Sequence, residues 1–316
     1  MTDPGRRGAT PTAVDHKHAN VVYHDWEAAS YDDKWSISFD DRCIRYARDR
    51  FDRTTRGTAA ELPFGDALEV GAGTGFFLLN LAQSGVASRL SLTDISQGMV
   101  DVAVRNAAEL GLDVDGRVAD AEQLPYDDAS FDLVVGHAVL HHVPDVEQAI
   151  REVLRVLRPG GRFVFAGEPT RHGDRIARPL SRATWFLTTT VTALPGVRDS
   201  WARPADELCA SSEAAALEAV VDLHTFDPHE LVRTCLRAGA VDVSTRAEEL
   251  TAAWLGWPVR TFEHAVNPDR LGWTWARLAY RSWLGLSWLD GHLWEHVVPD
   301  ALFYNVGVTG LRPTDG

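Results

Sequence analysis

The stretch "DALEVGAGTGFF", residues 66–77, decides the fold, because it joins a short apolar strand to a glycine cluster and then to a helix start. Gly71, Gly73 and Gly75 allow a tight turn and let a ligand approach the backbone beside the positive end of the next helix. The dinucleotide pattern G-x-G-x-x-G would need glycine at position 76, where this chain has Phe76. The spacing is therefore less suited to binding a pyrophosphate.

Strands and helices alternate on the carboxyl side of this loop. "RLSLTD", "GRVAD", "FDLVVGHAV" and "RFVFAG" have the length and apolar content of strands, and helical patterns separate them. One helix has a capping box at Asp145 and Gln148, and another is predicted between Asp227 and Gly239. "ALFYNVGVTG" is typical of a buried final strand. Five alternations predict an α/β fold whose parallel sheet carries helices on both faces.

Composition bounds the class of protein. The 316 residues include 45 acidic and 31 basic side chains, a net charge of −14 that disfavours nucleic acid or an anionic membrane as main partner. No apolar run approaches the roughly 18 residues of a membrane span, so stable membrane insertion is not expected. Because the N-terminal stretch has no apolar h-region, a signal peptide is not expected either. Cys43, Cys209 and Cys235 are far apart and odd in number, which favours reduced thiols in the cytoplasm.

Carboxylates follow the second and third predicted strands, where the ligand edge of the sheet is expected. Asp94 is placed to accept hydrogen bonds from both hydroxyls of a ribose. Asp120 could accept from an adenine amino group, with the backbone N–H of Ala121 reaching a ring nitrogen. The predicted site thus suits a ligand with an adenine, a ribose and a tail without phosphates along the glycine loop. S-adenosylmethionine fits this description better than NAD.

The motifs "ALEVGAGTG", "ADAEQLPYDDASFDLV", "LHHVPD" and "LRVLRPGGRFVF" together resemble class I S-adenosylmethionine-dependent methyltransferases of the ubiquinone/menaquinone methyltransferase-like branch. The resemblance covers residues 66–170 densely and implies a Rossmann-like sheet with S-adenosyl-L-methionine as cofactor. It places Asp94 at the ribose, and Asp120 with Ala121 at the adenine. Met99 is expected either on the adenine or in the helix core. The implied cofactor site is Glu69, Gly71, Ala72, Gly73, Gly75, Asp94, Ile95, Met99, Asp120, Ala121 and His137.

Three histidines follow in "GHAVLHHVPD", residues 136–145. Adjacent His141 and His142 are expected to face different ways, and no neighbouring acid or cysteine completes a ligand shell, so no metal site is predicted. The alternatives are that His137 and His141 shape the cofactor pocket, or that one of them is a general base.

Aromatic residues concentrate outside the predicted core, with nine of the 11 tryptophans after residue 184. The resemblance places a lid helix over the cofactor, which would carry Tyr23, Trp26, Tyr31 and Trp35 unless these only pack in the helix core. The Trp-rich segment 252–299 could be an acceptor-pocket wall, a dimer face or a membrane-touching surface. Glu168 is expected either to meet an acceptor or to cap a loop.

The sequence thus predicts methyl transfer to a hydroxyl, amine or carbon of an apolar small molecule or lipid, with homodimer formation open. The alternatives are a cofactor-binding protein without turnover and an NAD-dependent oxidoreductase. The predicted parts are a tail (1–14), an N-terminal helical lid (15–60), the cofactor-binding core (61–170), a cap insertion (171–222), a core helix and strand (223–250), a Trp-rich insertion (251–299) and the final core strand and tail (300–316).

Overall fold

The fold is taken from a computed structural model that describes residues 13–29, 31–35, 37–56, 62–205, 207–208 and 221–314. Most of the predicted tail (1–14) and most of the helical pattern "EAAALEAVVDL" in the cap insertion lie outside these residues.

A single seven-stranded sheet organises the chain, in the order β3-β2-β1-β4-β5-β7-β6. Strands β1 to β5 run parallel, as the alternation of strands and helices predicts. The last strand in the chain, β7, lies antiparallel between β5 and β6, so the parallel prediction does not extend to it. The strands are β1 (Phe64–Val70), β2 (Ala87–Asp94), β3 (Val114–Val118), β4 (Phe131–His137), β5 (Leu157–Pro169), β6 (Val241–Glu248) and β7 (Asn305–Leu311).

Helices cover both faces of the sheet and add a separate layer beyond its carboxyl edge. They are α1 (Ala13–Glu27), α2 (Tyr31–Trp35), α3 (Asp41–Thr55), α4 (Phe76–Gln83), α5 (Gln97–Glu109), α6 (Val146–Val156), α7 (Arg171–Thr192), α8 (Arg198–Trp201), α9 (Pro228–Ala238), α10 (Thr251–Ala265) and α11 (Trp273–His292). The cap insertion supplies α7 and α8, and the Trp-rich insertion supplies α10 and α11. Among the described helices, none is long and apolar enough to cross a membrane.

The predicted N-cap residues cap their helices. Asp145 accepts a hydrogen bond from the backbone N–H of Gln148 at the start of α6. The capping box is not closed, because the N–H of Asp145 donates to Glu122 Oε1 and the side chain of Gln148 donates to the carbonyl of Glu122. Asp227 caps α9 in the same way, and Gly239 ends that helix with a left-handed φ of 106°. The strand predicted at "RFVFAG" begins earlier than expected, because "LRPGG" forms the first part of β5.

The core lies in two layers separated by the sheet. On one face, α6 and α9 bury Ile150, Val153 and Leu231 against the strands. On the other, α3 and α4 bury Phe51 and Phe77. Helices cover the parallel strands on both faces. Because these strands run in the same direction, their carboxyl ends form one edge, where loops and the additional helices meet.

Candidate active site

The glycine loop lies at the carboxyl end of β1 and turns through left-handed backbone. Gly71, Gly73 and Gly75 have φ angles of 62°, 53° and 86°, which residues with side chains rarely adopt. A Cβ on Gly71 would lie 2.0 Å from a methyl carbon of Val139, so packing requires glycine there. A Cβ on Gly73 would have Tyr31 as its nearest neighbour, 3.9 Å away. Open space therefore lies beside the backbone of Gly73.

Asp94 is the last residue of β2 and stabilises this loop through hydrogen bonds. Its Oδ2 accepts a 2.8 Å hydrogen bond from the N–H of Gly73, and its Oδ1 accepts one of 2.9 Å from the N–H of Ser96. An ionised carboxylate offers about four acceptor positions, so both oxygens keep capacity for further donors such as a diol.

Glu69 lies beneath the loop, and its Oε2 accepts a 3.0 Å hydrogen bond from the N–H of Leu78 at the start of α4. Burial raises the pKa of Glu69 to about 8, although the N–H groups of Leu78 and Phe77 act in the opposite direction; the charge of Asp94 raises it further. At neutral pH the carboxyl group is largely protonated, and a cation placed beside it would favour the ionised form.

The cleft above the loop contains nine of the predicted cofactor residues: Glu69, Gly71, Ala72, Gly73, Asp94, Ile95, Asp120, Ala121 and His137. Two others do not line it. Gly75 begins α4, where an added Cβ would lie 2.8 Å from Leu79. Met99 is fully buried and packs with Ala28 and Val102, so its helix-core alternative is the one observed.

The helix α1, part of the predicted lid, crosses the end of this cleft at Asp120, where the adenine is expected. Lys17 Nζ lies 2.6 Å from Asp120 Oδ2 and 2.5 Å from Glu122 Oε2. Burial lowers the pKa of Lys17, but the hydrogen bonds and charges of the two carboxylates outweigh it and raise the pKa above its ordinary value. Asp120 is thus already paired, a contact that the sequence did not predict. The cleft encloses about 130 Å³, below the roughly 300–1,000 Å³ of typical ligand pockets.

A larger cavity of about 770 Å³ opens beside the cleft. Trp35 of α2, Trp257 of α10, and Tyr280 and Trp283 of α11 contribute aromatic walls. The two spaces share part of their lining, which consists of His24, Tyr31, Ile37, Phe76, His137, Ala138 and His142. A ligand in the cleft and a ligand in the cavity would meet at this shared wall.

His137, at the end of β4, belongs to the shared wall. Burial lowers the pKa of His137 to about 4; the charge of Glu168 opposes this effect, and Arg50 and His141 add to it. Its Nε2 has no hydrogen-bond partner among the described residues. The imidazole is therefore neutral near pH 7 and a weak base.

Glu168 adopts the loop-capping alternative. This fully buried carboxylate accepts hydrogen bonds from the N–H groups of Val139, Leu140 and His141, at 2.9, 2.9 and 3.1 Å. It also lies 2.9 Å from His141 Nδ1. Glu168 thus orients a histidine of the cavity wall instead of lining the cavity itself.

The expectation that His141 and His142 face different ways is wrong. They lie in a short 3₁₀ turn, Leu140–His142, with ring centroids 3.9 Å apart. Asp222 supplies the acid that no sequence neighbour provides, with its Oδ1 3.7 Å from His141 Nε2 and 3.5 Å from His142 Nδ1. The backbone N–H groups of Leu223 and His224 hold this segment against the carbonyl of His141.

Comparison with known proteins shows what the core of this fold is similar to. Residues 68–165 match the methyltransferase domain family. The fold around this domain is that of class I S-adenosylmethionine-dependent methyltransferases. This domain is 43% identical over 120 residues to 27-O-demethylrifamycin SV methyltransferase of Amycolatopsis mediterranei (36% of this chain, 43% of that protein). It is 38% identical over 102 residues to the ubiquinone/menaquinone biosynthesis C-methyltransferase UbiE of Bartonella henselae (31% and 38%).

The fold of this methyltransferase domain is also found in a solved structure of phosphoethanolamine N-methyltransferase 2 from Haemonchus contortus in complex with phosphomonomethylethanolamine and S-adenosylhomocysteine. The TM-score is 0.56 at 14% identity, over 96% of this chain and 61% of that one. The chain spans less than half the length of the two curated relatives described above. The matched proteins are methyltransferases, which favours the prediction of a methyltransferase over the alternative of an NAD-dependent oxidoreductase.

S-adenosyl-L-methionine is the cofactor of this methyltransferase family, and the cleft fits its parts. The space beside Gly73 accommodates a chain along bare backbone, and Asp94 has acceptor capacity for the ribose hydroxyls. The carboxyl group of Glu69 lies beneath the loop, where a cationic group would favour its ionised form. Lys17 is the exception, because its ion pair with Asp120 closes the adenine end.

The Trp-rich insertion has two faces. Trp257 and Trp283 line the cavity, which is the pocket-wall placement. Trp273 and Trp288 are 74% and 62% exposed and form part of an outward apolar face. Of the four predicted lid aromatics, Trp26 is also exposed, whereas Tyr23, Tyr31 and Trp35 line the cavity.

An ion-pair network in the larger cavity was not predicted from the sequence. Arg50 is buried on α3, with Nη1 2.6 Å from Glu248 Oε2 and Nη2 2.9 Å from Glu249 Oε1. Its guanidinium carbon lies 4.7 Å from the centroid of the Tyr46 ring. The two glutamates follow Arg50 by about 200 residues, so no local pattern indicates the pairing. The cavity is consequently more polar than an apolar acceptor alone would need.

Proposed function

We propose that the protein transfers the methyl group of S-adenosyl-L-methionine to a small molecule bound in the 770 Å³ cavity. The observation that carries the proposal is the shared wall at His137, where the cofactor cleft and the cavity adjoin. The cavity volume falls within the roughly 300–1,000 Å³ typical of small-molecule sites.

Each end of the cleft has a distinct role in this proposal. Asp94 holds the ribose, the loop at Gly71 and Gly73 follows the methionine part, and Ala121 lies at the adenine. When bound, the cofactor supplies an electrophilic methyl group, which passes to a lone pair or carbon nucleophile of the acceptor while the electrons of the carbon–sulfur bond stay on sulfur. His137, neutral because of its burial, adds no repulsion to a neighbouring sulfonium.

The acceptor is a small molecule or lipid with an apolar body and at least one polar group. Trp257, Trp283 and Tyr280 would contact the apolar body, and the ion pairs of Arg50 suit polar substituents. A hydroxyl, amine or carbon nucleophile is compatible with the shared domain, since the two relatives are named for transfer to oxygen and to carbon. Positioning supplies much of the rate enhancement in such transfers, because the reacting groups are held together.

The protein is proposed to act in the cytoplasm. Cys43 and Cys235 are buried and free, as thiols are in a reducing compartment.

The test is a transfer assay with methyl-labelled S-adenosyl-L-methionine and fractionated small-molecule and lipid extracts. We expect a labelled product from the wild-type protein and none from Asp94→Ala at the same cofactor concentration. Trp283→Ala should raise the KM for the acceptor and leave cofactor affinity unchanged. Cofactor binding without transfer to any fraction would favour the alternative of a binding protein without turnover.

A further inference from the structure

We propose that His141, His142 and Asp222 bind a divalent transition-metal ion in the wall of the acceptor cavity, with an open coordination position that takes a hydroxyl oxygen of the acceptor. The metal site stands on its own geometry. Its role toward an acceptor rests on the proposed methyl transfer.

The three side chains converge from two parts of the chain. One potential ligand atom from each lies within 4.8 Å of the other two. The side chains of His141, His142 and Asp222 are 11%, 20% and 29% exposed, and all three line the cavity. The cluster is therefore partly buried and open on the side where an acceptor would bind.

His141 has the outer partner that metal-binding histidines usually have, since such rings donate their second N–H to a carboxylate or a backbone carbonyl. Glu168 lies 2.9 Å from His141 Nδ1 and is itself fixed by three backbone N–H groups, which turns His141 Nε2 toward Asp222. His142 Nδ1 lies 3.1 Å from the carbonyl oxygen of Val221 and 3.5 Å from Asp222 Oδ1, so this nitrogen is held beside the cluster. These contacts fix both ring orientations in the described structure.

The donor set selects the class of ion. Two imidazole nitrogens and one carboxylate oxygen suit Zn²⁺ and its first-row neighbours rather than Ca²⁺ or Mg²⁺, which prefer oxygen ligands. Three protein ligands leave a position for water or substrate in a tetrahedral site. A metal ion at this position lowers the pKa of a bound hydroxyl, whose proton passes to water, and so makes the oxygen a better nucleophile. The inference therefore favours a hydroxyl acceptor over an amine or a carbon.

His224 offers a matched control. It lines the same cavity, but its Nε2 lies 3.0 Å from the carbonyl of Val143, and it is outside the three-residue cluster. A variant of His224 removes a cavity histidine without removing a proposed ligand.

The experiment is a calorimetric titration of the chelator-treated, dialysed protein with Zn²⁺, with S-adenosylhomocysteine binding measured on the same sample. We expect one Zn²⁺ per chain. Asp222→Asn and His142→Gln should weaken Zn²⁺ binding by at least the roughly 10–100-fold that loss of an outer partner costs. His224→Gln should bind Zn²⁺ as the wild type does.

Unchanged Zn²⁺ affinity in Asp222→Asn and His142→Gln would overturn the site, because the ion would then bind elsewhere. The site also fails if the wild type binds S-adenosylhomocysteine but no Zn²⁺, and in that case the proposed methyl transfer is unaffected. If Zn²⁺ binds at the cluster and S-adenosylhomocysteine does not bind at all, the metal site stands and the proposed function fails.

Discussion

Asp94 is the residue at which the second strand, the glycine loop and the following helix meet. Its carboxylate accepts hydrogen bonds from the N–H groups of Gly73 and Ser96, which hold its oxygens at the edge of the cleft where a ribose is expected. Asp94→Ala should weaken S-adenosyl-L-methionine binding by roughly 1.5–3 kcal/mol, the usual contribution of hydrogen bonds to a charged group. Calorimetry on the folded variant measures this.

Asp94→Asn serves as the control for the shape of the loop, because it keeps the size of the side chain. It should bind the cofactor more tightly than Asp94→Ala. Wild-type affinity in Asp94→Ala would show that the ribose lies elsewhere.

The raised pKa of Glu69 predicts that the stability of the protein depends on pH. Its pKa is about 8 in the folded protein against 4.5 for the unperturbed group, so the folded state holds the proton more tightly. The contribution of Glu69 to the free energy of unfolding is therefore full below about pH 4.5 and decreases until about pH 8. Glu69→Gln should remove this decrease, on the order of a few kcal/mol. Urea unfolding at about pH 5 and about pH 8 gives the comparison.

Glu109→Gln, on the exposed end of α5, is the matched control and should leave the pH profile of the wild type unchanged. If Glu69→Gln keeps the wild-type slope, the buried carboxyl group does not hold its proton at neutral pH.

At the residue scale, the sequence predicted the position of residues whose role depends on their neighbours in the sequence. Asp94 and the glycines follow strands that a short apolar run reveals, so their place at the ligand edge was predictable. Asp222 was not predictable, because it comes some 80 residues after His141 and nothing in the helical pattern "EAAALEAVVDL" indicates a contact with the histidines. The absence of an acid near the histidines in sequence was therefore a poor guide to their surroundings in space.

At the scale of elements, we expect the cofactor to displace the predicted lid helix α1 from the Asp120 end of the cleft. Lys17 joins it to Asp120 and Glu122 across a cleft of about 130 Å³. Lys17→Met removes this contact and should speed the association of S-adenosylhomocysteine. A partly exposed ion pair contributes up to about 1 kcal/mol, so the increase should be at most about 5-fold. Stopped-flow fluorescence measures the association rate.

Arg151→Met removes a comparable exposed ion pair, with Glu147 on α6. It lies away from the cleft and should leave the association rate unchanged. A slower association in Lys17→Met would mean that the ion pair holds the lid open for the cofactor.

Elements were predictable where their signals are local. The caps at Asp145 and Asp227 and the stop at Gly239 lie in the sequence where the structure has them. The start of β5 was missed because "RPGG" is typical of a turn, whereas pairing with β4 and β7 extends the strand into it. The antiparallel direction of β7 likewise follows from the topology of the whole sheet.

On the scale of the whole molecule, the acceptor cavity exists because two insertions return to the carboxyl edge of one sheet. The helix α10 packs against both α7 and α11, so the cap insertion and the Trp-rich insertion form one layer over the core. The sequence places both insertions after core strands, but their mutual packing depends on contacts that no local pattern encodes. The core could be predicted in detail, whereas the cavity could be predicted only in its general position.

The thermal stability of the whole chain distinguishes the two candidate ligands, S-adenosylhomocysteine and NAD, since a ligand that binds only the folded state raises the free energy of unfolding. At a concentration 100 times its Kd, S-adenosylhomocysteine should stabilise the protein by about 2.7 kcal/mol. For a chain of this length that corresponds to a rise in Tm of about 4 °C, given about 2.1 cal/mol/K of unfolding entropy per residue. NAD at the same concentration should produce no rise, because Phe76 replaces the third glycine of the dinucleotide loop. Asp94→Ala should lose most of the shift with S-adenosylhomocysteine, which ties the stabilisation to the cleft. A rise in Tm with NAD and none with S-adenosylhomocysteine would contradict both the cofactor assignment and the methyl transfer proposed from it.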